Sequence, residues 1–220
     1  MMAGTSLMVL LAGIIGTDFA PSPGLATLPI ALVVVGVAAS TLPTGRLLQR
    51  FGRRRVFVSY GVIAITAALT AMASLQMGSF TLFCTAALMM GWSGAAGHQY
   101  RFAALESVPA AMAPKATSFL LLGGILAAFI GPELAVRGRA LLHTEYAGSY
   151  LLLALSYACG VVLVSFHSDE DVAAGPPSHG GRSILKILSS PVLILAISAS
   201  ALGYGIMSFI MTATPISMHV

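Results

Sequence analysis

Five guanidinium groups fall within ten residues. They are Arg46, Arg50, Arg53, Arg54 and Arg55, in the stretch Gly45-Arg46-Leu47-Leu48-Gln49-Arg50-Phe51-Gly52-Arg53-Arg54-Arg55. Guanidinium forks bind phosphates and carboxylates through parallel hydrogen bonds. This is where the chain can hold an anion, either a lipid phosphate or an acidic side chain of a neighbouring helix. The two glycines have separate uses. Gly45 falls near a helix end, where a missing side chain lets another helix come close. Gly52, in a short loop between two apolar runs, permits the positive φ of the turn into the second of them.

The remaining candidates bind rather than catalyse. Trp92 is a large aromatic surface deep in an apolar run, where it either lines a cavity or faces lipid. Gly91, Gly94 and Gly97 surround it at three-residue spacing and favour tight helix packing. His98, Gln99 and Tyr100 follow at the polar end of the run and read as an interfacial belt. Gly123-Gly124 and Gly131-Pro132 make another apolar run pliable, because both residue types weaken helical backbone bonding. Tyr204, Ser208 and Thr212 share one helical face at four-residue spacing, a polar stripe for a solute or a neighbouring helix. No nucleophile motif, zinc motif, phosphate loop or embedded carboxylate pair is present, so the sequence does not read as an enzyme. The five histidines are dispersed, and Cys84 and Cys159 sit apart in apolar runs, so neither a metal nor a cofactor is expected.

The elements that must position these residues are membrane spans. Charged residues make up 8% of the 220 residues and hydrophobic ones 57%, far from the ~25% charge of a soluble domain. Residues 1–17, 19–45, 56–100, 116–132, 146–168 and 187–220 contain no charge, and a spanning helix needs about 20 apolar residues. The run 56–100 is long enough for two spans around a turn at Gln76-Met77-Gly78-Ser79. Seven spans are predicted, at 2–17, 25–45, 56–75, 79–99, 116–134, 147–166 and 191–213. The first is short. Reading it as a secretory leader would require a preceding basic residue, and none occurs before Arg46. Residues 167–190, with three acids, two prolines and three glycines, read as a flexible linker.

Charge asymmetry sets the orientation. Nine Lys/Arg lie in the connections after the second, fourth and sixth spans. The opposite side has only Arg137 and Arg139, offset by Glu133 and Glu145. The nine are expected in the cytoplasm, with the N-terminus. The same placement, beside spans, argues against nucleic acid as partner. Asp18 and Glu133 are expected as solvated caps on the outer side.

The stretch from Gly45 to Arg55 resembles the loop signature of the major facilitator superfamily, G-x-L-x-D-R-x-G-R-R, between its second and third spans. Gly45, Leu47, Arg50, Gly52, Arg53 and Arg54 match, and Gln49 stands where the family has an acid. In the family that acid pairs with an Arg and faces a helix of the second half. Gln49 brings no charge to such a latch. Many members also carry an embedded Arg-x-x-Gln-Gly in the fourth span, and here Met90 and Ser93 occupy its polar positions. The fifth span keeps part of a family antiporter signature, with Leu134-Ala135 replacing the final glycines.

The resemblance implies an all-α membrane protein. Residues 1–166 would form a six-helix bundle, 167–190 a cytoplasmic linker between halves, and 191–220 the first helix of an incomplete second half. It implies secondary transport of a small organic solute by alternating access, from a chain that is itself an incomplete carrier. The expected partners are the lipid bilayer, the solute and a coupling proton. The expected location is a bacterial inner membrane, spanned many times. A structural or regulatory membrane subunit is the alternative reading.

Overall fold

The computed structural model describes residues 2–106, 108–109, 112–166 and 190–218. Among the described residues there are seven α-helices: α1 (Met2–Phe19), α2 (Leu28–Phe51), α3 (Arg53–Met77), α4 (Phe80–Glu106), α5 (Ala113–Gly138), α6 (Ala147–Ser165) and α7 (Pro191–Met218). No strand occurs among the described residues. Each helix falls on a predicted span. The chain divides into two compact units, Met1–Glu170 and Asp171–Val220. The expected linker lies outside the described residues, apart from Ser190.

Five helices are individually long and apolar enough to cross a membrane: α2, α3, α4 through Tyr100, α5 and α6. At 24 residues α2 reaches about 36 Å, against a hydrocarbon core of about 30 Å. The apolar parts of α1 (Ala3–Gly16) and α7 (Pro191–Met207) are shorter.

Within the first unit the main pairings are α2 with α4, α3 with α4 and α6, and α1 with α5. The short α1 is the most deeply set: Leu7, Met8, Leu11 and Ala12 are all but inaccessible. Around it the core is built from small side chains. Ala64, Ala67, Ala68 and Ala71 form a fully buried stripe on α3, at the three- and four-residue spacing of one helix face. A bilayer gives little hydrophobic drive for helices to associate, so small residues that let backbones touch do that work. Where α2 crosses α4, a Cβ on Gly36 would collide with the Leu88 carbonyl, and one on Gly91 with the Val33 carbonyl. The α5–α6 turn is as tight. Gly138 lies against Ser149, whose Oγ donates to the Ala135 carbonyl at 2.8 Å.

Two of the turns, α2–α3 and α3–α4, are short because a single glycine makes each change of direction. Gly78 adopts φ 63°, and its N–H reaches the Leu75 and Ser74 carbonyls, closing α3. This is the turn expected between the third and fourth spans. Ser79 then caps α4 by accepting from the Leu82 N–H at 3.4 Å.

Candidate functional site

The α2–α3 junction is not a loop. α2 continues as helix through Gly45, Arg46, Leu47, Gln49 and Arg50 to Phe51, and α3 starts at Arg53. The break is Gly52 alone, at φ 80° and ψ 165°, a region open essentially only to glycine. Helix continues because every backbone polar group in or near a bilayer needs an internal partner. The Gly52 N–H still reaches the Leu48 carbonyl, at 3.2 Å.

This geometry fixes what the arginines can do. Arg46 and Arg50 end up on the last turns of α2, where its carbonyls favour a cation. Arg50 also lies 5.4 Å from the Phe51 ring centre. Arg53, Arg54 and Arg55 open α3 instead, at the positive end of its dipole. Arg54 resolves part of that conflict by donating to the Ser165 carbonyl of α6 at 2.5 Å. It thereby satisfies an end carbonyl of α6 and ties that helix to the junction. No spacing in the sequence announces this contact, which joins residues 111 positions apart. Gln49 is exposed on the outer face of α2.

Gly45 makes no close helix approach among the described residues. A Cβ there would meet nothing within 4 Å. The close approach of α2 occurs nine residues earlier, at Gly36, because the α2–α4 crossing lies mid-helix.

Beneath the junction a polar ladder runs into the packed interior. Ser40 donates to the Gly36 carbonyl at 2.8 Å, and Thr44 to the Ser40 carbonyl at 2.5 Å. With the Thr44 hydrogen used, the Tyr60 hydroxyl must donate to Thr44 Oγ1, 2.7 Å away. All three side chains are buried. Trp92 is partly buried and packs in the neighbouring cluster of Val56, Phe57, Tyr60 and Ala96, with Leu47, Leu48, Tyr100 and Val164 at its edge. It does not line the groove described below.

The other predicted positions separate. Met90 is buried in the main core, and Ser93 spends its hydroxyl on the Met90 carbonyl at 2.8 Å. Among the described residues no group of three His, Cys, Asp or Glu side chains could hold a metal. On α5, Gly131 contacts α1, 2.7 Å from a Cβ to the Ala3 carbonyl, whereas Gly123 and Gly124 face open space. Pro132 is accommodated inside a continuous helix. Tyr204, Ser208 and Thr212 all lie on α7, and the last two side chains fall outside the described residues. Glu133 pairs with Arg137 at 2.6 Å, and Arg139 with Glu145 at 2.5 Å, all exposed.

A Gly-hinged junction of two spans, flanked by arginines in the right order, meets a matching family profile. The sequence pattern of the Major Facilitator Superfamily covers residues 1–219. The chain belongs to that superfamily. The riboflavin transporter RfnT of Brucella anthropi is 32% identical over 215 residues, covering 96% of this chain and 54% of the relative. The MFS-type transporter YdeG of Bacillus subtilis is 27% identical over 232 residues, covering 99% and 54%. YddS of the same organism is 27% identical over 132 residues, covering 60% and 30%. The chain thus spans about half the length of the first two relatives. No solved structure matches it at comparable significance.

Proposed function

We propose that this superfamily member forms the first half, and the opening helix of the second half, of a secondary carrier for a small, largely uncharged organic solute. The domain limits would be 1–166, 167–190 and 191–220. The observation that carries the reading is the α2–α3 junction. Its Gly52 hinge and ordered arginines stand at the family position, in a chain matched by the family pattern over nearly its whole length. The relatives named as transporters support transport as the activity. Such carriers bind at the interface of two halves, so one half supplies one wall of the site.

The wall available here is neutral. Its polar members are satisfied within their own helices, as at Ser40, Thr44 and Ser93. Met90 stands where many family members carry an embedded Arg, and Glu133 is already paired with Arg137. A coupling proton would therefore use groups of the other half or a span-end acid such as Asp18. A planar heterocycle such as riboflavin, the solute in the Brucella relative's name, is the first candidate to test. Trp92, Tyr204, Ser208 and Thr212 remain the proposed contacts.

Small residues are concentrated where helices meet helices. Gly45 on α2 and Gly123 and Gly124 on α5 meet nothing within 4 Å. Those faces of α2 and α5 are proposed as the seat of the second half. The test is uptake of radiolabelled riboflavin in a riboflavin-requiring bacterium. The expected result is no uptake with residues 1–220 alone. Uptake is expected when residues 1–166 are joined to the second half of the Brucella relative. Saturable uptake by the chain alone, lost in Trp92→Ala, would overturn the half-carrier reading. Flux that follows ATP and ignores an imposed ion gradient would overturn the secondary-carrier reading.

A further inference from the structure

We draw no further inference here: the strongest candidate, the apolar groove between α3 and α6 lined by Phe57, Gly61, Tyr100, Tyr157, Gly160 and Val164 among others, carries nothing because nothing in the structure shows what covers it.

Discussion

Two glycines in one eleven-residue motif have opposite structural weight. Gly52 holds φ 80° and ψ 165° between two helices, so a β-branched side chain there is strained whatever space surrounds it. Gly52→Val should cost about 1–3 kcal/mol and lower the thermal midpoint of the detergent-purified chain. Gly45→Ala should be neutral in the same assay, because nothing lies within 4 Å. The reverse order would remove the conformational argument. The Tyr60–Thr44 bond supplies a second test. Thr44→Val leaves the buried Tyr60 hydroxyl without its acceptor, a loss of about 1–3 kcal/mol. Tyr60→Phe should be milder, since Thr44 keeps its bond to the Ser40 carbonyl. The Gly52 conformation was legible in the sequence, because a glycine between two apolar runs and beside charges has few other uses. The Arg54–Ser165 bond was not, because it depends on how α3 and α6 meet.

At the scale of helices, the sequence located each described α-helix and predicted few of their faces. Charge-free runs mark spans because a bilayer excludes charge, and Gly78 marks the turn between two of them. Hydropathy carries no comparable signal for which side of a span packs inward. Lipid and protein interior are both apolar, so α3 buries Ala64 and Ala71 and exposes Val62 and Leu69 without an amphipathic pattern. The readable signal is residue size, and it does not separate glycines that meet a neighbouring helix from those, such as Gly123 and Gly124, that meet nothing within 4 Å. Gly36 and Gly91 have their partners: Gly36→Leu should drive α2 and α4 apart, costing about 1–3 kcal/mol from overpacking. Gly124→Leu should leave the stability of the 220-residue chain unchanged, since α5 is open there. In the carrier completed with a second half, Gly124→Leu should abolish uptake while leaving membrane accumulation intact. Normal uptake in that variant would mean the α5 face meets lipid, not a second half.

For the molecule as a whole, orientation is expected to follow from where basic residues are concentrated. The ends of α2, α4 and α6 and the starts of α3 and α5 share one side of the alternating α1–α6 path, and the arginine cluster lies there. On the other side, Arg137 and Arg139 are each paired with a glutamate, and Asp18 adds a further acid. The folded ion pairs thus sharpen the asymmetry that the residue count suggested, because they neutralise the only cations on that side. The membrane potential and the insertion machinery retain basic connections in the cytoplasm, so the α2–α3 junction should be internal. The measurement is a single cysteine at Arg55 or at His143, in a background of Cys84→Ala and Cys159→Ala. In intact cells a membrane-impermeant maleimide should label the position-143 variant and spare the position-55 variant until the membrane is permeabilised. Both positions are exposed, so a difference in labelling reports sidedness and not burial. Labelling at position 55 in intact cells would invert the orientation.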